Sequence, residues 1–208
     1  MQDESRLRIE ICEYAALLWV RGLIGGIEGN LSVRLDENLI LCTPSGLAKG
    51  HLKPNQLVLV DRQGNEQNSQ PARLGFRDQG SSAPSLRASS EIKMHLGIYA
   101  ARSDVTAIVH AHPSFATSYA YAELPLDLSN SAEGLAVVGQ PALLPFANPS
   151  TEEVPESFKP FLNDHNAFLL TGHGATTVGT SLEEAFNRME TLERLAQVMY
   201  QARILRQS

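Results

Sequence analysis

Short apolar runs with a strand-like pattern recur along the chain, and helical patterns stand before, between and after them. Residues 31–35 alternate between apolar and polar side chains, whereas 105–110 is largely β-branched and apolar, as expected of a buried strand. The predicted strands are 31–35, 39–43, 57–60, 105–110, 135–138, 141–144 and 166–171. Short turns between several of these runs indicate hairpins. The sequence therefore predicts the α/β class, an α/β/α sandwich on a largely antiparallel sheet.

Two amphipathic helices are predicted at the ends of the chain. The first places Leu7, Ile11, Ala15 and Leu18 at three- and four-residue spacing. The last begins with a capping box at 181–184, in which a serine is followed three residues later by a glutamate. Its apolar stripe, which indicates core packing, consists of Leu182, Ala185, Phe186, Met189, Leu192, Ala196 and Met199. Neither repeats nor linker-like segments divide the 208 residues, so 1–208 is predicted to form one domain.

The charge balance is acidic, with 17 Lys and Arg residues against 23 Asp and Glu residues and a net charge of −6. A nucleic-acid-binding surface is therefore not expected, because no local block of basic residues compensates. The longest apolar run, 15–20, is too short to span a bilayer, and the acidic start at 1–5 does not resemble a signal peptide. Two cysteines form neither a disulfide framework nor a CxxC motif. These features predict a cytoplasmic protein without nucleic-acid or membrane partners.

Three histidines stand where a metal site would need them. His110 and His112 close a predicted strand, and residues two apart on a strand point to the same face. His173 lies between two glycines just beyond another predicted strand. Three imidazoles with a vacant fourth position suit catalytic zinc, although the spacing of the first two also arises by chance.

Glu91 is the candidate fourth group, predicted in the first turn of a helix that Ser89 and Ser90 open. A carboxylate at that position equally serves to stabilise the helix through its dipole. His95, one turn further along, is predicted as a buried histidine in the core or behind the metal ligands. His51 and His165 stand in polar, turn-like contexts and are predicted to be solvated.

Small hydroxyl and amide groups in three turns suggest an anion site. They lie at 29–32, at 43–46 and at Ser89 and Ser90, where the following helix offers free N–H groups. Each turn by itself is an ordinary turn or cap. An anion site therefore requires the fold to bring the three segments together.

These motifs together resemble the class II aldolase/adducin family, and in particular its zinc-dependent aldolases of the L-fuculose-1-phosphate type. The resemblance covers nearly the whole chain, and its five motifs occur in the expected order. They are GNLSVR at 29–34, TPSG at 43–46, SSE and MH within 89–95, IVHAHP at 108–113 and GHG at 172–174.

The resemblance implies a three-layer α/β/α subunit in a homotetramer with active sites at subunit interfaces. It implies one Zn²⁺ per subunit, or another divalent ion, held by His110, His112 and His173. Glu91 is then the acid/base residue and a metal ligand when substrate is absent. The residues matching the sugar-phosphate positions are Asn30, Ser45, Gly46, Ser89 and Ser90.

The activity implied is that of a metal-dependent lyase of carbohydrate metabolism. The leading interpretation is an aldolase that reversibly cleaves a ketose 1-phosphate to dihydroxyacetone phosphate and an aldehyde through a zinc-stabilised enediolate. A methylthioribulose-1-phosphate dehydratase and a decarboxylase of a phosphorylated keto acid are the alternatives. The family's epimerases, which carry Asp where Glu91 stands, and a non-catalytic adducin-like scaffold rank lower.

Some features depart from the fuculose aldolases, which complete their site with tyrosines. Residues 128–133 contain no tyrosine, and the chain ends at Ser208, so no closing tail is expected. The predicted surface loop 65–88 carries Arg73, Arg77 and Arg87, which are either solvated or in contact with an anionic substrate. The substrate therefore remains open at this point, whereas the metal site is little affected.

Overall fold

A single mixed sheet organises the fold in the computed structural model, which describes residues 3–67 and 86–207. Its strand order is β4-β3-β2-β1-β5-β8-β7-β6. The strands are β1 (Asn30–Arg34), β2 (Leu39–Cys42), β3 (Val58–Asp61), β4 (Glu66–Gln67), β5 (Ala107–Ala111), β6 (Ala142–Leu144), β7 (Ala167–Leu170) and β8 (Ala175–Gly179). Neighbouring strands are antiparallel except β6 and β7, which are parallel. The predicted α/β class with a largely antiparallel sheet is confirmed.

Helices cover both faces of this sheet and give three layers. The helices are α1 (Glu4–Val20), α2 (Ile92–Ala101), α3 (Ser114–Tyr121), α4 (Ala132–Val137), α5 (Glu153–Phe158) and α6 (Leu182–Leu205). One apolar core lies between the sheet and α1, α3 and α6, and a second lies between the sheet and α2 and α5. Among the described helices, none is both long enough and apolar enough to cross a membrane.

Helix α6 forms as its capping pattern predicts, with one difference. The Ser181 hydroxyl accepts the Glu184 backbone N–H at 3.1 Å, while the Glu184 carboxylate accepts the backbone N–H of Thr180 at 2.6 Å. All seven predicted stripe residues pack in the core, where Met199 is partly buried. Leu195 joins the same buried face.

The prediction of a strand at 135–138 is wrong, because 135–137 lie in α4 and Val138 is its C-cap. Ser131 accepts the backbone N–H of Gly134 at 3.0 Å and thereby caps the helix. A run of four apolar residues fits a buried helical turn as well as a strand, so periodicity does not separate them. Strands β4 and β8 and helix α5 are additional elements that the sequence patterns do not predict, and β4 lies within the segment predicted as the surface loop 65–88.

The site is positioned by β5, which lies in the middle of the sheet between β1 and β8. Alternation along β5 sends Val109 into the core beneath α1, α3 and α6, and sends Ile108 into the core beneath α2. His110 shares the face of Ile108, and His112 follows two residues later. Both histidines therefore leave the sheet on the side where α2 begins.

Candidate metal centre and active site

Three imidazoles converge at the carboxyl end of β5. His110, His112 and His173 each present a ring nitrogen, and these atoms lie within 4.8 Å of one another. The Nε2 atoms of His110 and His112 are 3.1 Å apart, and the ring centroids of the three side chains are 4.8 to 5.0 Å apart. Nitrogen atoms this close to each other can serve as ligands of the same cation. The donor set fits a divalent ion such as zinc.

The hairpin of β7 and β8 brings His173 to the other two histidines. Gly172 has a φ of +69°, which turns the chain sharply at the tip of the hairpin. Gly174 lies against His112, where a Cβ atom would stand 2.5 Å from the His112 ring. Gly172 thus permits the turn, and Gly174 leaves room for the close approach of His112.

Glu91 completes the cluster from the opposite direction. It is the residue before α2, not within its first turn as the sequence predicts, and it makes no side-chain cap. Its Oε1 lies 3.0 Å from Nε2 of His173, and its Oε2 lies 3.2 Å from Nε2 of His110. The carboxylate therefore faces the imidazoles instead of the helix, which argues against a purely helix-stabilising role.

The protonation states suit this arrangement. Burial raises the pKa of Glu91, but the adjacent His110 and His173 and the Asn30 amide lower it more, so the carboxylate is ionised. Burial lowers the pKa of His110 to about 3, against the opposing effect of Glu91. A neutral imidazole and an ionised carboxylate are the forms in which these groups bind a metal ion.

A chain of buried hydrogen bonds supports Glu91 from behind. The Asn30 amide donates to Glu91 Oε2 at 2.7 Å, and its carbonyl oxygen lies 2.5 Å from Nε2 of His95. The other ring nitrogen of His95 lies 2.6 Å from the hydroxyl of Ser32, which contacts the Tyr99 hydroxyl at 2.8 Å. With Ser32 donating to His95 and His95 donating to Asn30, every bond has one donor and one acceptor. His95 therefore lies buried behind the cluster, where the sequence predicts it.

We expect His95 to make folding stability depend on pH. Burial lowers its pKa from 6.5 to about 4, so below pH 6.5 the unfolded chain binds a proton that the folded chain does not. Stability is therefore lost as the pH falls from 6.5 towards 4. Between pH 7 and pH 5 this histidine accounts for a loss of about 2 kcal/mol.

Urea unfolding of ion-free protein at the two pH values measures this loss. The His95→Gln variant, although less stable at both, should lose about 2 kcal/mol less between them than the unaltered protein. Equal losses in the two proteins would show that His95 is not held neutral in the fold.

The structure brings the predicted anion-site segments together. Pro44 and Ala88 form an isolated antiparallel bridge, and the Ser45 N–H donates to the Arg87 carbonyl at 2.8 Å. This places the turn with Ser45 and Gly46 beside the segment that leads into Ser89 and Ser90. The Thr43 hydroxyl accepts the Leu31 N–H at 3.2 Å and ties the same turn to the strand of Asn30. Ser45, Gly46 and Ser90 are exposed and open to a ligand.

Other sequence-predicted residues lie away from the cluster. Arg87 is exposed and pairs with Glu66 at 3.5 Å, whereas Arg73 and Arg77 lie outside the described residues. His51 is exposed, as predicted, and its ring lies 5.4 Å from that of Trp19. The prediction of a solvated His165 is wrong, because it is half-buried and lies 2.7 Å from the Gln140 carbonyl.

Two residues at the cluster were not predicted from the sequence. Thr176, on β8, lies 3.0 Å from Nδ1 of His110, and its own hydroxyl contacts the Met94 sulfur at 3.5 Å. Glu28, in the glycine-rich loop before β1, lies 3.3 Å from Nδ1 of His112. The short β-branched run after the GHG turn is the one local signal for Thr176. For Glu28 no local pattern exists, because its partner is far away in the chain.

Known proteins are similar to this one over nearly the whole chain. Residues 9–200 match the family described as Class II Aldolase and Adducin N-terminal domain. The chain is 29% identical over 202 residues to the 3-oxo-tetronate 4-phosphate decarboxylase of Escherichia coli, covering 95% of this chain and 87% of that protein. It is 32% identical over 192 residues to an L-fuculose phosphate aldolase of Methanococcus maripaludis, covering 92% of this chain and 93% of that protein.

Solved structures agree with this likeness. The L-fuculose-1-phosphate aldolase of Thermus thermophilus superposes with a TM-score of 0.77 at 30% identity, covering 98% of this chain and 97% of that chain. The resemblance in the sequence, the three-layer fold and the match over 9–200 all agree. The chain belongs to the class II aldolase and adducin family.

Proposed function

We propose that this protein is a metal-dependent lyase that breaks a carbon–carbon bond in a phosphorylated sugar. The leading reaction is reversible aldol cleavage of a ketose 1-phosphate to dihydroxyacetone phosphate and an aldehyde. The observation that carries this proposal is the position of Glu91. Its ionised carboxylate faces two of the three converging imidazoles, at 3.0 and 3.2 Å.

His110, His112 and His173 would hold the ion, with Glu91 as a further ligand before substrate binds. A bound divalent ion supplies Lewis-acid stabilisation of negative charge that develops on the oxygens of the substrate. Zn²⁺, one per subunit, is the proposed ion because it accepts three imidazoles and leaves a position open.

Glu91 is the proposed acid/base residue. In aldol cleavage a base accepts the proton of the hydroxyl on one carbon, while the electron pair of the breaking bond moves to the carbonyl-bearing fragment. That fragment must then receive a proton at carbon, which the protonated carboxyl group returns. Asn30 holds the carboxylate at 2.7 Å, so the group that moves the proton is fixed before the substrate arrives.

The phosphate group is proposed to bind at the turns beside Glu91. The proposed contacts are Asn30, Ser45, Gly46, Ser89 and Ser90. Their hydroxyl, amide and backbone N–H groups suit phosphate oxygens, and the bridge between Pro44 and Ala88 supports their proximity. Binding the phosphate there would orient the reacting carbons relative to Glu91.

Decarboxylation of a phosphorylated keto acid is the second candidate. It is favoured by the 29% identity to the decarboxylase of E. coli over 95% of this chain. The same electron flow applies, because loss of CO₂ also leaves an electron pair beside a carbonyl group that a positioned acid must protonate. A dehydratase on the same machinery is the remaining lyase alternative.

A homotetramer with active sites at subunit interfaces is the proposed assembly. Phe146 supports it, because this apolar side chain is 62% exposed and lies next to Gly172 at the edge of the cluster. An apolar side chain so exposed at the edge of a site offers a contact for another chain or a ligand.

A product assay on ion-loaded protein tests the proposed reaction. A panel of phosphorylated ketoses and keto acids is incubated with the protein while dihydroxyacetone phosphate, CO₂ and water elimination are monitored in parallel. We expect dihydroxyacetone phosphate from a ketose 1-phosphate. Release of CO₂ alone would assign the decarboxylase, and elimination alone the dehydratase. No product from any substrate, in a protein that takes up no ion when Zn²⁺ is supplied, would support the non-catalytic scaffold.

A further inference from the structure

We propose that Glu28 is a positioning residue that fixes the His112 imidazole for metal binding. Its Oε2 lies 3.3 Å from Nδ1 of His112, whereas Glu91 contacts His110 and His173. The two carboxylates therefore act on different members of the cluster. This inference rests on the proposed metal centre. It adds a residue that belongs to none of the five sequence motifs.

The carboxylate of Glu28 is held in place by its own loop. Its Oε1 accepts the backbone N–H of Gly25 at 2.5 Å, and its backbone N–H donates to the Gly25 carbonyl at 3.1 Å. One turn is thus closed by both the backbone and the side chain. The next residue, Gly29, has a φ of +72° and packs so closely that a Cβ would stand 3.0 Å from the His110 carbonyl. The loop is therefore seated directly against the end of β5, which carries His110 and leads into His112.

This contact selects one tautomer of His112. A ring proton on Nδ1 would have the Glu28 carboxylate oxygen 3.3 Å away as its acceptor, so the contact favours the tautomer with the proton on Nδ1. The lone pair is then left on Nε2, the atom that lies 3.1 Å from Nε2 of His110. A metal-binding histidine whose other nitrogen donates to a carboxylate is oriented and made more basic.

The charges favour the same role. A divalent ion among three neutral imidazoles leaves two positive charges uncompensated. Glu28 and Glu91 supply two negative charges, one behind His112 and one facing the cluster. Because Glu28 is 38% exposed, this effect is partly screened, and orientation of the imidazole is the larger contribution.

Metal affinity without turnover tests this role. Metal-free protein is titrated with Zn²⁺ in competition with a chromophoric chelator, for the unaltered chain, Glu28→Gln and Glu28→Ala. We expect Glu28→Ala to weaken Zn²⁺ binding by about 10- to 100-fold and Glu28→Gln by less, because glutamine retains an acceptor without the charge. Glu190→Gln is the matched control: Glu190 is also 38% exposed and pairs with Arg21, on the opposite face of the sheet. It should bind Zn²⁺ like the unaltered chain.

A second readout separates the failure of this inference from that of the metal centre. Imidazole ¹⁵N–¹H NMR of the metal-free protein should show a protected Nδ1–H signal of His112 that Glu28→Ala abolishes. Equal Zn²⁺ affinity in all variants, with that signal unchanged in Glu28→Ala, would overturn the role of Glu28. If the unaltered chain binds no Zn²⁺, the metal centre fails, while the NMR signal still reports the contact. Should Glu28→Ala unfold, Glu28→Gln still gives the comparison.

Discussion

Replacing Glu91 with glutamine is expected to lower kcat by about 10²- to 10⁴-fold while the ion remains bound. Glutamine has nearly the shape of glutamate and can still accept the hydrogen bond that Asn30 donates to Glu91 at 2.7 Å. It cannot take up a proton, so the group that moves the proton is lost while the three imidazoles stay in place. Steady-state kinetics on the best substrate of the panel, with the metal content of the same sample, measures the effect.

The control for this variant is Glu190→Gln, which removes one carboxylate on helix α6. It should retain the unaltered kcat. Full turnover in Glu91→Gln would show that another group moves the proton, and loss of the ion in that variant would show that Glu91 serves mainly as a ligand.

Alanine at His173 is expected to weaken metal binding by more than about 100-fold and to abolish turnover with it. His173 lies at the tip of the β7–β8 hairpin and its side chain is only 17% exposed, yet it belongs to neither strand. Its removal therefore takes away one of three proposed ligands without cutting a sheet pairing. Competition with a chromophoric chelator gives the affinity, and thermal unfolding of the metal-free protein checks the fold.

His51→Ala is the matched control, because His51 is exposed and its nearest aromatic partner is Trp19. That variant should bind the ion with unaltered affinity. If His173→Ala keeps both the ion and turnover, the cluster of three imidazoles is not the metal site.

The sequence predicts those parts of the fold whose pattern is long or repeated. Helix α6 has a capping residue and an apolar stripe over its full length, so its face and its start are correct. The segment 135–138 is a run of four apolar residues with no further pattern that distinguishes a helix from a strand. Its secondary structure is therefore set by its packing in the folded protein, where it falls on α4. Short elements without a distinctive period are the ones that the sequence leaves undetermined.

The same distinction applies to the candidate site. His110 and His112 are two residues apart on a strand, so their common face follows from the sequence alone. His173 joins them only because β8 pairs with β5, a contact that no local pattern specifies. Glu28 meets His112 across the fold through a loop that packs against β5. Contacts between distant segments thus supply the groups that the motifs leave out.

Metal dependence of turnover tests the central claim, that this cluster holds an ion needed for bond cleavage. The protein is stripped with a chelator, assayed on its best substrate, and then titrated with Zn²⁺. We predict that turnover falls to background on stripping and returns fully when about one ion is bound per chain. Full turnover in the stripped protein, with no ion detectable, would contradict the account.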